Sequence, residues 1–600
     1  MQPRLHYDDV AWEKSEAVAD GWVRQFLEPD VLRPVGNFLL RHHRPGDADE
    51  FSFLGKGAYN VCFQMKYKHA KAAVMRFPQP GATMFPEEKV RNEVAIMRYI
   101  LDQTSIPVPF VHYWGMRKES PLGLGPFIIM DYIDHDTSMY DALNTPGCPK
   151  EDRGILDPYI SEAKLEALYG EAARILLRLS QPSLPQIGSL DQVDDFTWEV
   201  TRRPLSMPMN ALVQLGSLPQ SKLPTATFGT KSSYFDALAE LHIAHLINQR
   251  NDAIDSAEDC RRKLVARYLF RKLAREHRLT ERLASFDKGP FKLWCDDLRP
   301  ANILLNEELK IVGVVDWELA YAAPVEFSFA PPWWLLIGKP EYWPRGLDDW
   351  CSDQRLSGPM QESWESGDFW IAYAVRNNFV FDLIYWHKID QRFFGPTSSP
   401  IKDVWKQRLD LLEPEDRADI ERFVAIKLEE MNTRPLAWDP DHYTKEVAEK
   451  VSEDNAANGD ENGATGYGAD DDPTHGISTY GFSHFRKLLQ LFLLLIMIFH
   501  ALQHLFFQEA HWTVHWLSRA LAKPETQLAE ALESLDRSEQ ELTQETMPDH
   551  FDALGDENSM LRTKLFNRAG APWEDDFQSL RYAIMQVCQN WPMSIGNAGF

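Results

Sequence analysis

The chain has 600 residues, 44% of them apolar and 12% aromatic, and a formal charge of −26. That length exceeds what one hydrophobic core organises, so two or more folded units joined by linkers are expected. The acidic balance argues against a nucleic-acid partner, because phosphate backbones are bound by basic surfaces.

The six cysteines, at 62, 148, 260, 295, 351 and 588, show no CxxC or CxxH spacing. They read as scattered intracellular thiols, neither a zinc site nor a disulfide frame. The first residues carry no apolar run of secretory type, which predicts a cytoplasmic location for the lobes that follow.

In chain order, residues 1–46 read as a helical segment, with an interrupted apolar stripe through Val10, Trp12, Trp22, Val23 and Phe26. Residues 47–133 hold short β-like runs at 51–54, 59–67 and 72–77, a helix over 87–101, and further strands at 108–113 and 127–130. That order describes a small α+β lobe. Residues 134–440 turn mainly helical, with apolar residues at helical spacing over 161–180, 234–247 and 369–386. Pro204, Pro208, Pro219 and Pro224 make 200–230 an extended loop or flap in this reading.

Residues 441–480 read as a disordered acidic linker, since 452–476 holds seven acidic residues, five glycines and no Lys or Arg. Residues 481–523 then form an apolar helix. Its stretch 488–507 is long enough, at ~1.5 Å per residue, to cross a hydrocarbon core of ~30 Å. Arg486 and Lys487 before it would leave the preceding lobes in the cytosol. Gln490, His500, Gln503 and His504 equally suit a buried or interface-lying helix. Residues 524–600 read as a helical tail whose leucines at 528, 532, 535 and 542 form a short docking face.

The chemistry concentrates between Phe291 and Glu318. An apolar strand runs into a polar loop holding Asp297 and, five residues on, Asn302; a second β-like run ends at Asp316. A carboxylate at a strand mouth, with no basic side chain read as its neighbour, accepts or orients the proton of an attacking hydroxyl. After Pro300 fixes the turn, the amide of Asn302 returns to the same place, and the hairpin 303–315 brings Asp316 alongside. Two carboxylates and an amide supply the base and the oxygen ligands for magnesium that phosphoryl transfer uses. A hydrolase built on Cys295, Asp296 and Asp297 is the poorer reading, because no histidine ligands lie nearby.

Asp-x-x-x-x-Asn with a downstream Asp-Trp-Glu resembles the aminoglycoside phosphotransferase and choline kinase group of the protein-kinase-like superfamily, and most of all its divergent fungal members. The likeness covers roughly residues 47–430. It implies a bilobal α+β fold with ATP in the cleft, Asp297 as catalytic base, and Asn302 and Asp316 as Mg2+ ligands. It also implies a hinge at 130–133, where backbone groups of Asp131 and Ile133 would meet the adenine.

In the first lobe, Gly55 and Gly57 sit between strands, where a backbone can approach phosphates. Arg76 ends a strand at the family's phosphate-binding cation position, and Glu93, seventeen residues later, would be its helical partner. The chain departs from the family in having Arg76 for the usual Lys, Cys295 for the usual His, and no third glycine. These changes leave the base and metal ligands in place. They also frame an alternative: a catalytically weak or inactive, pseudokinase-like binding or scaffold protein.

The acceptor implied is the hydroxyl of a small molecule. Phe369, Trp370, Tyr373, Phe379, Phe381, Tyr385, Trp386, Trp333 and Trp334 could line its pocket, although aromatics at helical spacing are more often core. Glu318 and Asp382 are the acids that could hold a cationic acceptor, with solvated or capping roles as the alternative.

Overall fold

The computed structural model describes residues 6–148, 154–343, 347 and 356–460, with side chains as far as Glu453. All belong to one compact unit, Met1–Gly466. The span candidate 488–507 and the tail 524–600 lie outside the described residues. Among the described residues no helix is long and apolar enough to cross a membrane.

The first lobe is built on five strands: β1 (Asp47–Lys56), β2 (Asn60–Lys68), β3 (Ala70–Pro78), β4 (Val111–Gly115) and β5 (Phe127–Asp131). They form an antiparallel sheet in the order β1-β2-β3-β5-β4. Side chains alternate between faces along a strand, and β3 obeys this. Val74 packs beneath helix α3 (Pro86–Gln103) with Val90, Val94 and Met97. Met75 and Phe77 point to the opposite face, which is covered by α1 (Asp9–Phe26) and α2 (Pro29–His42).

The predicted single helical segment is therefore two helices, broken at Leu27 and Glu28 just before Pro29. Phe26 stacks on Phe63 with ring centroids 4.8 Å apart and meets Phe77 edge-on at 4.9 Å. Each such ring, fully buried, contributes roughly 1.5–3 kcal/mol.

The expected linker begins later than 441, because His442–Asp460 is helical and its side chains join the same face of the sheet. Val447, Ala448 and Val451 are its buried apolar residues. Gly21 of α1 allows the close approach, since a Cβ there would stand 2.6 Å from Val451. Tyr443 ties the helix down by accepting from Trp22 Nε1 (2.8 Å) and donating to the Leu124 carbonyl (2.6 Å). Acidic composition suggested disorder, but the apolar residues recur at 443, 447, 448 and 451, one helical face, and that face is what packs.

In the second lobe a short strand, β6 (Thr137–Ser138), leads through α4 (Met139–Leu143) to α5 (Glu162–Ser180). The hairpin β7 (Ser189–Asp194) and β8 (Thr197–Arg202) follows. The expected flap at 200–230 is then partly regular. Ser206 caps α6 (Met207–Leu215), with Pro208 in its first turn, where a missing N–H costs nothing. Asn210 of α6 holds the loop entering α3, accepting from Met84 N (2.8 Å) and donating to Ala82 O (3.0 Å).

Helices α7 (Lys231–Asn248) and α8 (Ala257–Arg275) form the centre of this lobe. Between them and the cleft lie β9 (Lys292–Cys295), β10 (Ile303–Leu305), β11 (Ile311–Val314) and β12 (Ala320–Ala323). β10 pairs with β11 and β6, and β12 pairs with β9, all antiparallel. The apolar stretch predicted as one helix over 369–386 is interrupted: a helix Asp368–Arg376 ends at Asn377, and a short one resumes at Phe381.

Candidate active site

The loops that carry Asp297, Asn302 and Asp316 are held together by main-chain bonds that their sequence spacing allows. Beyond β9 the chain turns through Pro300–Asn302, where Asn302 N donates to Arg299 O (2.9 Å). Val315 N then donates to Asn302 O at 3.0 Å, so Asn302 and Asp316 are neighbours across the β10–β11 hairpin. Asp316 has φ +60°, left-handed backbone that an L-residue adopts at a cost and that recurs at functional sites. Asn302 Nδ2 donates to the Asp297 carbonyl (2.8 Å) and to its Oδ2 (3.1 Å). Thus all three acids and amides read from the sequence meet at one corner of the cleft.

Asp297 has a basic neighbour after all. Arg299 Nε lies 2.9 Å from Asp297 Oδ1, two residues along a loop that folds back on itself. Even so, burial raises the Asp297 carboxyl to about 6; Arg299 and Asn302 oppose this, while Asp316 and Glu318 add to it. A carboxyl held there exchanges its proton near neutrality.

Cys295, in the place of the usual histidine, is buried. Its sulfur lies 3.8 Å from the Asp316 carbonyl and 3.9 Å from that of Glu318. Burial, with Asp297 next, pushes the thiol well up, so it stays protonated and braces the second loop as a weak donor.

Arg76 reaches from β3 across to this corner. One nitrogen lies 3.0 Å from Glu93 Oε1 and 2.8 Å from Asp316 Oδ1; the other donates to Glu318 Oε2 at 2.7 Å. The expected Arg76–Glu93 pair is present, but two further residues that the sequence reading missed share it. Lys89, one turn before Glu93 on α3, lies 2.5 Å from Glu318 Oε2 and 3.6 Å from Glu93 Oε2, and donates to Asn60 Oδ1 at 2.7 Å. Asn60, the first residue of β2, donates in turn to Glu318 Oε2 at 2.7 Å.

Glu318 is therefore no acceptor-site acid. It is 2% exposed, and one of its oxygens takes Asn60, Arg76 and Lys89 together. Burial by itself would raise its pKa, yet Lys89, Arg76 and Asn60 bring it down to about 2. Glu93 moves the other way. Burial raises it against the pull of Arg76 and Lys89, because its oxygens have ion-pair neighbours but no hydrogen bond. The Arg76 charge is disfavoured by burial but held by Glu93, Asp316 and Glu318, so its pKa lies well above the usual value.

At the glycine turn, Gln79 Nε2 donates to the carbonyls of Gly57 (2.7 Å) and Asn60 (3.0 Å), fixing the turn against β3. Neither Gly55 nor Gly57 has positive φ, so conformation does not demand them. A Cβ added at Gly55 would meet nothing within 4 Å, so the space beside this strand is free for a ligand. At the hinge, the Asp131 and Tyr132 amides are spent on Phe110 O (3.0 Å) and Ala72 O (2.9 Å). None of the described hydrogen bonds uses the Ile133 amide. The Asp131 side chain is held by His112 Nε2 at 2.6 Å.

The aromatics between Phe369 and Trp386 are mostly core: Phe369, Trp370, Tyr373, Phe381, Tyr385 and Trp386 are all buried. Asp382 is taken by Arg267 at 2.7 Å. Among the described residues no three His, Cys, Asp or Glu side chains gather in a metal-ready cluster. The corner does fit magnesium by its donor chemistry, which is hard oxygen throughout. Asp316 is 37% exposed, with one oxygen on Arg76, and Asn302, its Nδ2 spent on Asp297, has Oδ1 left. Magnesium is commonly held by one or two such side chains, with water and phosphate completing its shell.

This fold is that of a phosphotransferase family. The chain matches the phosphotransferase enzyme family over residues 50–369, and it belongs to that family. Solved structures similar to it include an ethanolamine kinase from Plasmodium vivax, 14% identical over 66% of this chain and 91% of that one, with a TM-score of 0.31. A choline kinase from Streptococcus pneumoniae is 12% identical over 63% and 94%, with a TM-score of 0.27. The wild-type aminoglycoside 2'-phosphotransferase-IIIa, solved with GDP, is 13% identical over 66% and 96%, with a TM-score of 0.28. Overlaps of that extent decide nothing about this chain, whose membership rests on the matched residues. No curated protein matches it.

Proposed function

We propose that this protein transfers the γ-phosphoryl group of ATP, with magnesium, to a hydroxyl of a small molecule. The observation that supports this best is the meeting of Asp297, Asn302 and Asp316 at one corner, with Arg76 reaching Asp316 from the other lobe. Asp297 takes the proton of the acceptor hydroxyl and orients its oxygen for attack, and Arg299 and Asn302 hold the carboxylate in place. Asn302 and Asp316 would hold the magnesium, which when bound offsets phosphate charge. Arg76 keeps Asp316 in position and the two lobes in register. Gly55 leaves room for phosphates, and the Ile133 amide, which none of the described hydrogen bonds uses, suits an adenine edge.

The test is ATP consumption over pooled small-molecule metabolites, with Asp297→Asn as control. A hydroxyl compound phosphorylated by the native chain and not by the variant is the expected result. Equal consumption by both proteins would refute the assignment of the base.

A further inference from the structure

In a protein-kinase-like lobe, a β3 cation paired to one helical carboxylate is expected to face the phosphates. Here the donors are counted differently. One terminal nitrogen of Arg76 forms ion pairs with Glu93 and Asp316, and the other donates to Glu318. Lys89 has three N–H groups and three oxygen neighbours: Asn60 Oδ1, Glu318 Oε2 and Glu93 Oε2. Its side chain is 1% exposed. Lys89 is placed to compensate Glu318, not to touch a ligand. Without it, the buried carboxylates Glu93 and Glu318 and the half-exposed Asp316 would share the single charge of Arg76.

Glu318 is the joint of the arrangement. It stands two residues past Asp316 on the metal-side loop, and its Oε2 receives donors from β2, β3 and α3. Three elements of one lobe thereby grip one residue of the other. Because buried groups with unpaired charge are costly, Glu318 is held in this place by Lys89 and Arg76 together. If Glu318 moves, Arg76 loses a partner and with it the geometry that holds Asp316 Oδ1 at 2.8 Å.

We propose that Lys89 is a positioning residue of the transfer site: through Glu318 and Arg76 it fixes Asp316 where a magnesium–nucleotide complex is to be bound. The inference rests on the phosphotransferase reading above, and its test separates the two. Nucleotide binding by the purified full-length protein is measured calorimetrically, with ATP plus excess EDTA and with ATP plus Mg2+, alongside thermal unfolding. The native chain is expected to gain affinity with Mg2+.

Lys89→Met, close in volume and uncharged, should keep its metal-free ATP affinity within about twofold and lose about tenfold or more of the Mg2+ gain, the range typical when a residue supporting a metal ligand is lost. Lys89→Met/Glu318→Gln removes both charges together and is the form to read if the single variant does not fold. It should show the same loss. Arg98, on α3 with its side chain turned to Gln192, gives the control Arg98→Met, which should leave the Mg2+ gain unchanged. A native chain without any Mg2+-dependent binding would overturn the functional reading itself. A native chain with the gain, retained in either Lys89 variant, would overturn the positioning role alone. Failure of the charge-balanced double variant to fold would also overturn it, by making Lys89 a packing residue.

Discussion

Asp297→Asn should make the protein more stable while stopping transfer. The Asp297 carboxyl is raised from 3.8 to about 6, with burial the largest cause. An acid whose folded pKa exceeds its unfolded one binds its proton more tightly in the fold, so its ionisation weakens the fold. Below about pH 4 both states are protonated and nothing is lost; the penalty builds between about 4 and 6 and is complete above. A rise of roughly two units, at ~1.4 kcal/mol each, is about 3 kcal/mol near pH 8 and about half of that at pH 5. The neutral, nearly isosteric amide removes this penalty.

The full gain is an upper bound, because the variant also gives up the ion pair with Arg299 Nε and sets a second amide beside Asn302. Asn302 keeps its bond to the residue-297 carbonyl, so the turn should survive. Urea unfolding of native and variant protein at pH 5 and pH 8 measures the difference, with phosphoryl transfer followed in parallel. A variant no more stable than the native chain, or one whose advantage does not change between the two pH values, would refute the burial argument.

Further expectations follow from neighbouring groups. kcat/KM should fall with unit slope as pH drops through about 6, since only the ionised Asp297 accepts a proton; a flat profile down to pH 5 would exclude it as the base. Asp316→Asn should weaken Mg2+-dependent ATP binding about 10–100-fold with little change in melting temperature, because that side chain is 37% exposed; calorimetry and a thermal melt read the two effects. Tyr443→Phe leaves Trp22 Nε1 and the Leu124 carbonyl without their shared partner. It should cost about 1–3 kcal/mol in urea unfolding and leave the transfer rate unchanged, because the contact is on the sheet face away from the cleft.

The catalytic loop was legible because its logic is local. Asp297, Asn302 and Asp316 lie within twenty residues, and a strand, a proline turn and a hairpin leave few ways to arrange them. The Arg76–Glu93 pair could be read for a similar reason, since strand and helix follow one another with a fixed spacing. Lys89 was within reach as well: it stands four residues before Glu93, the separation that puts two side chains on one helix face. Arg299 stands two residues from Asp297, but sequence proximity does not say which way its side chain turns; only the folded loop brings its Nε back to Asp297 Oδ1.

The remainder depended on contacts between distant elements. Asn60 meets Glu318 across 258 positions, and no pattern in either segment announces the other. Glu318 reads in the sequence as an acid for a cationic acceptor or as a solvated or capping acid; only the folded lobes show two cations and an amide converging on it. The helix His442–Asp460 was hidden by acidic composition, and it is held by a surface that α1 and β3 create only after they fold. The sequence by itself determined the class of chemistry, because a base and metal ligands are set by residue type and short spacing. The tertiary structure decided what each charge is for, because a buried ion is defined by the partners that surround it, and those come from every part of the chain.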